Sequence, residues 1–359
     1  MIRWVTYWGF FLSLMATMAH GNAVKGSQDP ILSSYFVVPK DQTTMNRVAD
    51  LFEVTSRRGK GYEVIVPASR VKELKALVPD AQELEADIHA IFNRLNADYL
   101  AGYHTFDTVQ AHLKRIVAEH PEIASLVEYG KSKEGRPLLA LKLSDNVGLD
   151  EAEPELLMTS ATHGDELITV EVLMGILDSL VQGYGTNARL TNMVDGHELY
   201  FIPAVNPDGY FRKSRYANGV DPNREYPWPE MPERNPNECI KGIMDFVMGR
   251  DFKASIDYHA SGKMVMYPWS YTSQPVDSID QKIFAELTRK MAATNGYVHG
   301  QIPDVIYVAK GSSADFYYWK ANMKAIAIEI GDSKVPPTSS IGFHLDKNLE
   351  AAYLFIESF

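Results

Sequence analysis

Two periods of hydrophobicity alternate along this chain. Between Leu156 and Ile330, short runs of consecutive apolar residues are separated by longer stretches whose apolar positions recur at helical spacing. Continuous apolar runs are expected of strands buried on both faces, and the longer period of helices with one buried stripe. The expected order is a strand ending at Ala161, a helix over Ile168–Leu180 and a strand over Glu198–Val205. A helix over Ile240–Met248, a strand over Lys253–Tyr258, a helix over Ile279–Asn295 and a strand over Lys324–Ile330 follow. That alternation specifies an α/β unit with a mixed or parallel central sheet and helices on both faces. Reacting groups in such sheets gather beyond the carboxyl ends of the strands.

This unit is expected to span residues 98–359. It opens with a helix carrying Val109, Leu113, Ile116 and Val117 on one side. Strands around Leu126–Tyr129 and Pro137–Leu143 follow, joined through the Gly-containing turn Lys133–Arg136. Ahead of it, residues 24–86 read as a small open α/β sandwich. Its elements are a strand over Ser33–Pro39, a helix over Thr43–Val54, a basic turn at Arg57–Gly61 and a strand over Tyr62–Pro67. A helix over Ala68–Leu77 capped by Ser69 and a strand over Ala81–Glu85 complete it. Residues 87–97 read as a linking helix.

The first residues change the picture. Arg3 is followed by a short apolar run from Val5 to Ala16 and by small residues at Ala19, Gly21 and Ala23. This is the layout of a signal peptide over residues 1–23, so a secreted or periplasmic protein is expected, with no membrane attachment after its removal. The net charge of -11 argues against nucleic-acid or anionic-membrane partners. The single cysteine, Cys239, excludes an internal disulfide and any zinc ribbon. A monomer is expected.

Candidate chemistry begins where the run Glu155–Ala161 ends. His163 and Glu166 follow it directly, and His259 ends the run Ala254–His259. Two imidazoles and one carboxylate leave the fourth position of a tetrahedral zinc open, as in catalytic sites, so one zinc ion per chain is expected. Glu329 interrupts the apolar run Ala325–Ile330. Either it lies at an exposed strand end paired with Lys324 or an arginine, or burial raises its pKa as suits a general base. Three further polar clusters follow strands or open loops: Asn206–Arg215, Gly219–Arg224 and Ile306–Asp315.

These clusters, in this order, resemble the zinc carboxypeptidases of the carboxypeptidase A type (peptidase family M14), and Tyr62–Lys75 resembles part of a procarboxypeptidase prodomain. The resemblance implies His163, Glu166 and His259 as zinc ligands and Asp221 as the acid bonded to the first ligand imidazole. It implies Glu329 as the base and Arg212 as the guanidinium beside the developing oxyanion. Asn223 and Arg224 would grip the substrate's terminal carboxylate, and Tyr307 would close over it. Ala314 and Ser270 fall at pocket positions where an acid marks basic specificity, so a neutral or apolar terminal residue is expected; the adjacent Asp315 would reverse this if the loop were shifted. Asp165 replaces an arginine of the digestive enzymes and is expected to favour a cationic neighbour upstream in the substrate. The implied activity is hydrolysis of peptide C-termini, with residues 24–86 as a zymogen domain or a permanent accessory domain. The alternatives are a cell-wall muropeptide carboxypeptidase, a zinc amidohydrolase of the desuccinylase type and a catalytically silent binding protein on the same scaffold.

Overall fold

The computed structural model describes residues 32–86 and 100–359. The expected signal peptide and linking helix lie outside these residues. In the first segment, β1 (Leu32–Val37), α1 (Gln42–Leu51), β2 (Glu53–Arg58), β3 (Gly61–Pro67), α2 (Val71–Leu77) and β4 (Gln82–Glu85) succeed one another. They form an antiparallel sheet of order β2-β3-β1-β4. Met45, Val48 and Leu74 of the two helices pack on Tyr35, Val37, Val64 and Val66. The expected helix over Thr43–Val54 ends earlier, at Leu51. Val54 and Arg57 stand opposite Val64 and Tyr62 in the ladder, so strand pairing overrides the helical spacing of the last apolar positions. Ser69 makes no capping bond; it lies in a tight turn, Ala68–Arg70, ahead of α2.

The larger unit contains α3 (Phe106–Glu119), β5 (Ala124–Lys131), β6 (Pro137–Leu143), β7 (Glu155–Ser160), α4 (Leu167–Gly183), α5 (Ala188–Asp195) and β8 (Glu198–Ile202). Next come α6 (Pro207–Arg212), α7 (Glu238–Met248), β9 (Phe252–His259), β10 (Met264–Tyr267), α8 (Ser278–Asn295) and β11 (Val298–Gln301). The chain closes with α9 (Ile302–Val305), α10 (Ser313–Trp319), β12 (Lys324–Glu329) and α11 (Ile341–Ile356). The sheet order is β11-β10-β12-β9-β7-β8-β6-β5. Its four central strands, β12, β9, β7 and β8, run parallel, and both flanks contain antiparallel pairs.

Successive strand residues point to opposite faces. Leu156, Met158, Ile256, Ile326 and Ile328 pack with helices α3, α4, α8 and α11. Leu157, Tyr200, Ile202, Ala325 and Ala327 face the other way, onto Ile240, Ile243 and Val247 of α7 and Phe316 and Tyr317 of α10. The sheet is mixed and covered by helices on both faces, one of the two arrangements that the hydrophobic pattern allows. Among the described residues no single helix is long and apolar enough to cross a membrane.

Candidate metal centre and pocket

Three neighbouring parallel strands deliver the reacting groups. In the ladder Ser160 of β7 stands opposite Tyr258 of β9, and His259 stands opposite Glu329 of β12. The carboxyl ends of β7, β9 and β12 therefore meet. After β7 the chain turns through Ala161, whose φ of 46° is in the left-handed region, a strained conformation typical of functional turns. His163 follows, and Glu166 immediately precedes α4. Gly164 allows this turn to touch the α6 segment: a Cβ there would lie 2.1 Å from the carbonyl carbon of Gly209.

His163 Nδ1 is 2.9 Å from Glu166 Oε1, His259 Nδ1 is 3.1 Å from Glu166 Oε2, and the two Nδ1 atoms are 3.2 Å apart. Donors about 2.0–2.1 Å from a tetrahedral zinc stand about 3.3 Å from one another, so this triad fits the ion. All three side chains are buried. The outer nitrogens are also engaged: His163 Nε2 is 3.1 Å from Asp221 Oδ1, and His259 Nε2 is 3.1 Å from Asp257 Oδ2. Carboxylates in these positions hold the proton on Nε2 and leave the Nδ1 lone pairs facing the centre. Asp221 is held well below the usual carboxylate range; burial opposes this, but Arg215, His163 and Arg224 outweigh it.

Glu329 lines the same pocket, half-buried with its Oε2 shut off from solvent, and Lys324 pairs with Asp280 instead, so the exposed-end reading of its position is corrected. Its Oε2 has no hydrogen-bond partner among the described residues. Burial, followed by the negative charge of Glu166, pushes its pKa up to about 7.

Arg212 is not in the pocket. It lies half-buried at the end of α6, paired with Glu134, because Lys213 terminates that helix with a left-handed φ of 55°. The guanidinium that reaches the centre is that of Arg215. Its Nε and Nη2 donate to Asp221 Oδ2 at 3.1 and 2.7 Å, and its Nη1 lies 3.2 Å from His163 Nδ1. The sequence marks Arg212 and Arg215 equally; what separates them is the helix end between them.

Asn223 and Arg224 occupy a short helical turn behind Asp221, whose Oδ1 accepts the Asn223 N–H at 2.9 Å. Asn223 Oδ1 accepts the N–H of Ser313 at 2.8 Å. Arg224 Nη2 is 3.4 Å from the Tyr307 hydroxyl. Ala314 and Ser270 line the pocket with Met266, Ile302, Ile306 and Ala327. Asp315 does not line it: its carboxylate accepts the N–H groups of Ser270 and Tyr271 at 2.6 and 2.8 Å. Asp165 also turns away, into a buried ion pair with Lys334 at 2.8 Å, so the expected attraction of a cationic substrate neighbour is corrected. Asp257 and Ser313 escaped the sequence reading. Asp257 carried a usable signal, since at two positions before His259 it shares that residue's face of the strand.

The small leading sheet lies against this pocket. Val54 and Thr55 of β2 line it. Tyr307 packs into the leading segment's own hydrophobic cluster. Its neighbours are tied there by hydrogen bonds: Tyr62 Oη donates to Ile306 O at 3.0 Å, and Val308 N donates to Asn46 Oδ1 at 3.0 Å. Tyr216 Oη donates to Glu53 Oε2 at 2.9 Å across the same junction.

Comparison with known proteins agrees with this architecture. The chain is 31% identical over 283 residues to a zinc carboxypeptidase of Saccharothrix mutabilis subsp. capreolus, covering 68% of this chain and 64% of that protein, just under two thirds of its length. It is 26% identical over 340 residues to mouse carboxypeptidase A1, covering 79% of this chain and 80% of that one. The crystal structure of carboxypeptidase A from Helicoverpa armigera superposes with a TM-score of 0.78 at 19% identity, over 92% of this chain and 97% of that one, and supports the fold. The zinc carboxypeptidase family model matches residues 109–351, well over half of the chain. This chain belongs to the zinc carboxypeptidase family, peptidase family M14.

Proposed function

We propose that this protein is a zinc-dependent carboxypeptidase that releases single neutral or apolar residues from peptide C-termini. One observation carries the reading: Arg224, a guanidinium suited to a terminal carboxylate, lines the same pocket as the His163–Glu166–His259 triad and Glu329. A zinc ion held by the triad would supply Lewis acidity at the scissile carbonyl and acidify a water. Glu329, with an unpartnered oxygen in the same pocket, takes the proton of the attacking water and returns it to the leaving amine. Arg215 donates to the oxyanion as charge develops there. Arg224 and Asn223 receive the terminal carboxylate, and the Tyr307 hydroxyl closes beside them. The remaining walls are apolar or neutral, which supports the preference for an uncharged terminal side chain.

The reading extends to an exported, latent form. The layout of residues 1–23 supports export, and the leading sheet lies where substrate would enter. Cleavage in the segment 87–97 would release Tyr307 and clear Val54 and Thr55 from the pocket.

The test uses the full chain, intact and after limited proteolysis, with peptides differing only in the last residue and with or without a terminal amide. Release of single neutral residues, lost with a chelator and blocked by the amide, is expected after proteolysis. Equal activity before and after cleavage would remove the latency. Release from muropeptides alone would transfer the assignment to cell-wall peptides, and no release from either would leave a binding protein.

A further inference from the structure

Asp315 is fully buried, lies next to the pocket residue Ala314 and takes no part in the chemistry described above. Its two carboxylate oxygens each accept one backbone N–H of the turn that follows β10, from Ser270 at 2.6 Å and from Tyr271 at 2.8 Å. That turn is itself strapped to the loop between α9 and α10. Ser270 Oγ donates to Ala309 O at 2.6 Å, and Ala309 N donates to Ser270 O at 2.9 Å. The same loop carries Tyr307 and ends at Ser312, whose hydroxyl caps α10 by accepting the Asp315 N–H at 3.3 Å. The Asp315 carboxylate therefore ties the start of α10, with Ala314, to the Ser270 turn, and that turn is strapped in its own right to the Tyr307 loop.

We infer that Asp315 is a positioning residue for substrate selection, holding the pocket at the width that accepts a large apolar terminal side chain. This rests on the carboxypeptidase reading. A carboxylate suits the task because it offers an acceptor to each of two adjacent N–H groups, whereas an amide replaces one acceptor with a donor. Burial pushes the Asp315 pKa up to about 7, against the opposing pull of the two N–H groups and the Ser312 hydroxyl. A group that is costly to ionise in this setting is kept for geometry and not for stability.

The experiment compares the parent with Asp315→Asn and Ser270→Ala. Ser270→Ala removes the hydroxyl bond to Ala309 and keeps the backbone one, so it loosens the wall that Asp315 holds while the buried carboxylate stays, and it reads that wall's effect if Asp315→Asn does not fold. Calorimetry on the zinc-loaded chain after limited proteolysis reads the Kd of 3-phenylpropionate, a small carboxylate bearing one phenyl ring. Kinetics after limited proteolysis read KM and kcat for peptides ending in Phe and in Ala. The expected result for Asp315→Asn is a rise of about tenfold in Kd and in KM for the Phe peptide, which corresponds to about 1.4 kcal/mol. KM for the Ala peptide, kcat and zinc content stay within about twofold, and Ser270→Ala moves Kd and the Phe KM in the same direction by less. An unchanged Kd, or an equal loss on both peptides carried by kcat, overturns the inference. If the parent binds the probe but hydrolyses nothing, the carboxypeptidase reading fails while the Kd comparison still decides the role of Asp315.

Discussion

Glu329 meets the physical requirement for a proton carrier. It is half-buried, its Oε2 is shut off from solvent and has no partner among the described residues, and its pKa is pushed up to about 7. Glu329→Gln keeps the shape and removes the base, so kcat should fall by about 10²- to 10⁴-fold with zinc content unchanged. Retained turnover would end the assignment. Arg215 and Arg212 offer a sharper contrast. Arg215→Ala should lower kcat by about 10²- to 10³-fold, the range for loss of one oxyanion donor. Arg212→Ala removes only a partly exposed pair with Glu134 and should leave kcat within about twofold. Equal losses in the two variants would remove the distinction drawn between Arg215 and Arg212. Asp315 supplies a pH signature. Its folded pKa of about 7 exceeds the ordinary 3.8, so between those values the folded state holds a proton that the unfolded chain has lost. Stability from this group therefore falls as pH rises from about 4 to 7 and levels off above. Denaturant unfolding of Asp315→Asn against the parent should show the difference moving in the variant's favour across that window. A pH-independent difference would contradict the raised pKa.

At the scale of elements, the centre is a consequence of strand order. Only adjacent parallel strands can bring their carboxyl ends to one line, and β12, β9 and β7 are such neighbours. The turn that carries Arg224 depends on a close approach between two loops. A Cβ at Gly311 would lie 2.4 Å from the carbonyl oxygen of Arg224, and the residue has a φ of +81°. Gly311→Ala must either strain that backbone or push Arg224 aside. The expected outcome is a rise in KM of about tenfold or more for peptides with a free C-terminus, again about 1.4 kcal/mol. The left-handed φ adds a loss of stability of about 1–2 kcal/mol, readable in thermal unfolding. An unchanged KM would show that the turn carrying Arg224 is not held by this contact.

At the scale of the whole molecule, the leading sheet and the catalytic unit share Tyr307. The leading segment buries that ring and ties the backbone beside it through Tyr62 and Asn46. In the proposed latent form, removing one such hydrogen bond would shift the balance between capped and open pocket by about 0.5–1.5 kcal/mol. Tyr62→Phe should therefore raise the activity of the intact chain by about two- to tenfold and leave the proteolysed form unchanged. An equal effect on both forms would mean that Tyr62 plays no part in the proposed latency.

What the sequence determined by itself was whatever depends on local order. A buried strand ending in His-x-x-Glu, a second ending in His259 and a third carrying Glu329 are legible because strand periodicity and strand ends are local properties. The α/β alternation was legible for the same reason. The tertiary structure alone decided which of two nearby arginines reaches the metal centre, since a left-handed residue between them sends one outward. It also decided that Asp165 is spent on Lys334, a partner 169 positions away, and that Asp315 faces a backbone turn and not the pocket. β2 took residues that helical spacing had claimed, because its ladder to β3 outweighed local propensity. Partners distant in sequence meet only through packing, so the direction of a buried charge is a property of the fold and not of its neighbours in the chain.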